Sequence, residues 1–287
     1  DGYQESNPNT TATSITLTTT SSEVNLTSIP VSADPAVTAR KIYRTLKNGS
    51  VYYYVDTILN NTATTYTDNI AESALVTQLA TNHDIPPIWK MGVLHKGRIF
   101  GLRPNSCIVD CTLIEGYSTH PDIHDSVNNY FAVNENDGED VLAIAEISEG
   151  ILCFKRSSTF LIRTSASGDP LLWSIEKVDS YGIVAPYSAS KTPLGIIYLS
   201  LDKENQLDLR LSNGGASKSL GFRVKDILDS INSLYYNEVV GKYSGGRYYL
   251  AFTDDLLGLS YNNRLLVLQF NDDFSKFGYT EDNFNLS

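Results

Sequence analysis

The stretch that most constrains the fold is residues 148–186, SEGILCFKRSSTFLIRTSASGDPLLWSIEKVDSYGIVAP. GILCF (150–154) and TFLIR (159–163) are short apolar runs separated by the polar KRSS (155–158), the pattern of a β-hairpin. SASGDP (165–170) is a second break, and LWSIE (172–176) has the character of a third strand. GIVAP (182–186) closes the unit. An apolar hairpin, a Gly/Pro turn and a third strand make one blade-sized piece of antiparallel sheet.

The rest of the composition agrees with β-structure. Tyr is abundant at 18 residues, Met is present once, and the 41% hydrophobic content is enough for packed cores. A net charge of −11 argues against a protein that grips nucleic acid through its phosphates, though not against one that DNA slides past. No apolar run is long enough to span a membrane. Three cysteines do not make a disulfide scaffold. The opening, DGYQESNP, has no signal-peptide pattern and has the look of the middle of a domain, so a longer N-terminal part is expected.

Taken in order, residues 1 to about 75 are polar and Thr-rich. TSITLT (13–18), VNLTSIP (24–30), KIYRT (41–45), SVYYYV (50–55) and TTYTD (64–68) carry strand character. Asn48-Gly49 between two of them is a strong hairpin signal. The expectation for residues 1–82 is a small β-sandwich. AESALVTQLATN (71–82) is a mild helix or linker, and DIPPI (84–88) breaks the backbone twice, which places a domain boundary there. From Met91 the pattern changes to repeated hairpins. KGRIFGL (96–102) pairs with SCIVDCT (106–112), and comparable hairpins begin near Gly150, Gly195 and Gly246. Their starts recur about every 50 residues, the spacing of four-stranded propeller blades. Residues 83–287 are therefore expected to form a β-propeller-like array of at least four antiparallel hairpin blades. One helix is expected over 223–232, where Val224, Ile227, Leu228 and Ile231 fall at i, i+3, i+4, i+7.

Two resemblances follow from these segments. QESNP (4–8), Ile29-Pro30, RKIYRT (40–45) and TYTD (65–68) resemble fibronectin type III-like modules of phage virion proteins, with the first strands of such a module missing. GRIFG (97–101), NYFAV (129–133), Asp137-Gly138, GILCFK (150–155), STFLI (158–162), GIVAP (182–186) and IYLS (197–200) follow an order similar to that of tail nozzle, or tail tubular B, proteins of short-tailed phages. That resemblance covers roughly residues 1–280 and departs from the family pattern over 107–124. It implies a structural virion protein in the phage tail, a ring of copies of itself (a hexamer in that family) that contacts adaptor and fibre proteins. Double-stranded DNA would pass its lumen without specific binding. The alternative from another class is a receptor- or carbohydrate-binding propeller at the tail tip.

Cys107, Cys111, His120 and His124 are zinc ligand types, but the two thiols stand about 13 Å apart if the strand is straight at ~3.3 Å per residue. One zinc does not reach both without a bend, so buried thiols with loop histidines are expected. Asp137, Glu139 and Asp140 form an acidic cluster that calcium could use, without EF-hand spacing; a solvated turn is expected instead. No nucleophile elbow, phosphate loop or singled-out carboxylate pair marks an enzyme, and no cofactor is expected. Lys155, Arg156 and Arg247 are expected to be the most exposed basic residues at hairpin turns, open to DNA or to a neighbouring subunit. Four glycosylation sequons are ordinary in so Thr- and Asn-rich a chain.

Overall fold

The computed structural model is all-β and describes residues 5–9, 11–16, 23–79, 81, 87–112, 128–165, 169–254, 261–270 and 277–283. The chain divides into two compact units, Asp1–Ile85 and Pro86–Ser287, with the division inside the double-proline segment.

Among the described residues, the first unit holds two small antiparallel sheets. β2 (Arg40–Thr45) pairs with β3 (Tyr52–Ile58), and β1 (Val24–Leu26) pairs with β4 (Tyr66–Asp68). Between β2 and β3, Asn48 takes a positive φ of 57° and the Gly49 N–H donates to Leu46 O at 2.9 Å. Asn tolerates this left-handed conformation better than most residues, which is why Asn-Gly turns chains. The buried apolar side chains described here are Val55, Ile58 and Leu75. Polar reach does much of the joining. The Arg40 guanidinium donates to Pro30 O at 2.6 Å and Ala63 O at 2.5 Å. Arg44 donates to Ile70 O at 2.5 Å and sits 2.6 Å from the Asp68 carboxylate. The Tyr66 hydroxyl donates to Asp56 at 3.0 Å. The strand expected over 13–18 does not form in its described part, residues 13–16, where Ile15 is 65% exposed. Alternation specifies a strand only where its apolar side chains find a face to pack on.

Among the described residues, the second unit contains four four-stranded sheets, each a simple up-and-down meander. Sheet I comprises β5 (Met91–His95), β6 (Arg98–Leu102), β7 (Ile108–Cys111) and β8 (Tyr130–Ala132). Sheet II comprises β9 (Ala143–Ile147), β10 (Gly150–Phe154), β11 (Thr159–Arg163) and β12 (Ser174–Asp179). Sheet III comprises β13 (Ser190–Thr192), β14 (Gly195–Leu201), β15 (Leu207–Ser212) and β16 (Lys218–Ser219). Sheet IV comprises β17 (Val240–Ser244), β18 (Arg247–Phe252), β19 (Arg264–Phe270) and β20 (Phe277–Asn283).

Each sheet opens on a two-residue hairpin: Lys96-Gly97, Ser148-Glu149, Pro193-Leu194 and Gly245-Gly246 lie between the paired first and second strands. Both residues have positive φ in Lys96-Gly97 and in Gly245-Gly246, the twist that matches a tight hairpin. In sheets II and III the residue after the turn is a glycine, Gly150 (φ 157°) and Gly195 (φ 139°). A Cβ there would meet the backbone oxygen of the third strand, Ile162 O at 1.9 Å or Ser212 O at 2.3 Å. That shared constraint explains why two of the hairpins begin on glycine.

The sheets pack face to face in chain order. Between sheets I and II lie Phe100, Leu102, Val109 and Cys111 against Ile144, Ile151, Cys153 and Ile162. Between II and III lie Ala145, Leu152, Phe154 and Leu161 against Ile196 and Tyr198. Between III and IV lie Ile197, Leu199 and Leu209 against Tyr248, Leu250, Phe252, Leu266 and Leu268. Successive residues of β10 therefore point into different cores. Both faces are buried, so GILCF is apolar throughout instead of alternating. The last strand of sheet II is the opposite case: its first four residues, Ser174 to Lys177, are exposed. Neighbouring sheets also meet along their first strands, β5 on β9, β9 on β13 and β13 on β17. A fan of four-stranded meanders joined at their first strands is a propeller-like arrangement.

The helix expected over 223–232 is a single turn, α1 (Lys225–Leu228), flanked by irregular turns. Its apolar stripe is still used, since Val224, Leu228 and Ile231 are buried. The Ser230 hydroxyl donates to Ile227 O and the Asn232 side chain accepts from Leu234 N–H. These local bonds compete with helix continuation.

Candidate functional site

The residues singled out from the sequence do not gather in one place. Cys111 ends β7 inside the core between sheets I and II, fully buried, with the Arg98 guanidinium beside its thiol. Cys107 is half-buried just before that strand, and none of the three cysteines is in a disulfide. His120 and His124 lie outside the described residues. Among the described residues no three His, Cys, Asp or Glu side chains converge as metal ligands would. Burial pushes the Cys153 thiol far above its usual range, away from nucleophilic character.

Lys155 requires a correction. It was expected to be exposed at the β10–β11 turn, and it is fully buried. It follows directly on β10, a strand buried on both faces. The ammonium donates to Asn134 O at 2.9 Å, Asp137 Oδ1 at 2.6 Å and Glu139 O at 2.9 Å, which uses all three of its protons. The acidic turn is folded around this cation. Asn134 Nδ2 donates to Asp137 Oδ2 at 2.7 Å, and Asn134 and Gly138 both take left-handed backbone. Glu139 accepts from the Ser157 N–H at 3.2 Å and the Ser157 hydroxyl at 2.9 Å. Burial raises the Asp137 pKa, but hydrogen bonds from Lys155, the Glu139 N–H and Asn134 outweigh it and hold the carboxyl below its usual value. The cluster expected to be a solvated turn, with calcium as the competing reading, thus holds a cation supplied by the chain itself. Lys155 is consumed by this cage and is withdrawn as a contact for DNA or for a neighbouring subunit. Arg156 and Arg247 are exposed.

A second polar cluster runs across the first strands, and no sequence motif singles it out. His95 ends β5 and is only 4% exposed. Its Nδ1 lies 3.2 Å from Glu146 Oε1 of β9, and its Nε2 lies 2.9 Å from the hydroxyl of Thr164, which follows β11. Lys96 Nζ donates to the same hydroxyl at 2.9 Å. Lys191 of β13 donates to the other oxygen of Glu146. One chain of contacts thereby joins sheets I, II and III. Burial pulls the His95 pKa below its ordinary value; Lys96 and Lys191 act in the same direction, and Glu146 opposes them without prevailing. Glu146 is raised by burial and lowered more strongly by Lys191 and His95, so it stays ionised below the usual carboxylate range.

Hydroxyl, imidazole and carboxylate in a row have the connectivity of an acyl-transfer triad. The Thr164 hydroxyl is nevertheless buried and fully engaged, with His95 and Lys96 at 2.9 Å and Glu149 O at 3.3 Å. That geometry is a structural tie. The only sequence trace of it is that polar residues sit where two successive apolar first strands end, at LHKG (94–97) and EISEG (146–150).

Compared with known proteins, the chain matches no family model and no curated sequence. Among the described residues, no helix is long and apolar enough to cross a membrane.

Proposed function

We propose that this chain is a structural subunit of a phage tail, a component of a nozzle or adaptor ring in the virion whose copies surround a conduit for DNA. The observation that carries the proposal is what the described residues do with their reactive groups. The two buried thiols lie in the core between sheets I and II, the buried lysine is caged, and the buried histidine ties sheets together. Such a molecule offers its packed sheets and its exposed surface to neighbours. The net charge of −11 suits a lumen that DNA passes, because a basic wall would hold each phosphate by counterion release. Neighbours on this reading are further copies of the chain, adjacent tail proteins and fibres. The mechanism is assembly: packing between copies builds the conduit.

The test is the mass and shape of the native assembly, by light scattering and by imaging of particles. A closed ring of several copies around a central hole supports the conduit. A stable monomer that binds glycans would replace it with the receptor-binding alternative.

A further inference from the structure

We propose that His95 is an acid-sensitive pin across sheets I, II and III: neutral, it completes the hydrogen-bond chain from Lys96 to Lys191, and its protonation loosens the seam along the first strands. The inference stands apart from the proposed function and rests on the geometry of the cluster. A carboxylate beside Nδ1 requires that nitrogen to carry the proton, so Nδ1–H donates to Glu146. Nε2 then accepts from the Thr164 hydroxyl, and the hydroxyl oxygen accepts from Lys96. Every polar atom of the chain is satisfied.

Adding a proton to Nε2 upsets two things. The Thr164 hydroxyl must turn its own proton to Glu149 O, at the longer distance of 3.3 Å, and its oxygen must receive both His95 and Lys96. An imidazolium with little solvent access also then faces Lys96 from its own hairpin and Lys191 from β13. Its one carboxylate neighbour in the chain, Glu146 of β9, is already shared with Lys191. The Phe100 ring, 6.2 Å away and edge-on, gives it no charge. The Glu149 carboxylate is taken up by Arg163.

The sign follows from burial. A histidine whose folded pKa is depressed binds its proton more readily when unfolded. Its contribution to stability is complete above the unfolded value of about 6.5 and is lost as pH falls toward the folded value. The low pKa of Glu146 extends the loss to more acid conditions, below its ordinary carboxylate range.

The experiment compares thermal unfolding of the intact chain at about pH 7.5 and about pH 5.5 with that of His95→Gln, whose amide donates and accepts without titrating. The wild type is expected to lose about 3 °C more than the variant over this interval. Histidine NMR, with the His95 signal assigned by its absence from the variant, is expected to give a midpoint below 6.5. Equal losses in the two proteins, or a His95 midpoint at or above that value, overturn the proposal. Should His95→Gln fail to fold, the His95 signal is assigned instead in a chain carrying H83Q, H120Q and H124Q, where it is the one histidine left of four, and a midpoint at or above 6.5 refutes the pin.

Discussion

The two units of this chain solve the same problem with different materials. In residues 86–287, the middle strands of sheets II and III are buried on both faces, and β10 sends Ile151 and Cys153 one way and Leu152 and Phe154 the other. In residues 1–85, three buried apolar side chains are described, and two arginines of β2 reach out to the carbonyls of neighbouring loops and to the Asp68 carboxylate at the end of β4. Apolar burial stabilises in proportion to the area removed from water, about 25 cal/mol per Å². A hydrogen bond adds only about 1 kcal/mol net, because water competes for both partners. The stacked sheets should therefore be the stiff part, and the polar-tied unit the part that opens first. Hydrogen exchange offers a direct view: amides of β10, β14 and β18 are expected to outlast those of β2 and β3. The reverse order would break the comparison.

Mutations sharpen it in decreasing order. Phe154→Ala removes a fully buried ring that lies 4.6 Å, centroid to centroid, from Tyr198. It should cost about 3–5 kcal/mol in denaturant unfolding. A cost under about 1 kcal/mol would mean the core between sheets II and III collapses freely around the gap. Lys155→Met keeps the buried stem but removes the ammonium, leaving the Asp137 carboxylate and two carbonyls without their donor. The expected cost is about 2 kcal/mol, reduced from that of a fully buried pair because water can reach Asp137. Adding Asp137→Asn should recover part of it, and no recovery would show that the carboxylate is not the partner left stranded. Arg44→Ala, in the polar-tied unit, should cost about 1 kcal/mol and speed exchange of β2 and β3 amides while leaving β10 unchanged.

Hairpins were legible because their signals are local. GILCF and TFLIR pair residue for residue, Gly150 with Arg163 through Phe154 with Thr159. The turn at KRSS forms where polar residues interrupt two apolar runs. Lys155 marks the limit of such local signals: a lysine beside a turn is usually solvated, and the sequence does not show that the Asn134–Asp140 turn, which links sheets I and II, closes over it. Over 223–232 the apolar stripe has helical spacing, yet the helix is shorter than that spacing predicts because its polar residues form competing local bonds.

From the sequence alone came the all-β class, the polar N-terminal stretch, the recurrence of hairpins about every 50 residues and the glycines that begin them. These depend on side-chain chemistry within a few residues, on apolar runs, turn residues and backbone freedom. Only the tertiary structure decided that Asp137 meets Lys155 and that His95 meets Glu146, Thr164 and Lys191. Those partners lie 18 to 69 residues from each other along the chain wherever a bond between them is direct. Charge and burial are properties of the neighbours that packing supplies, and packing joins sheets that no local pattern names.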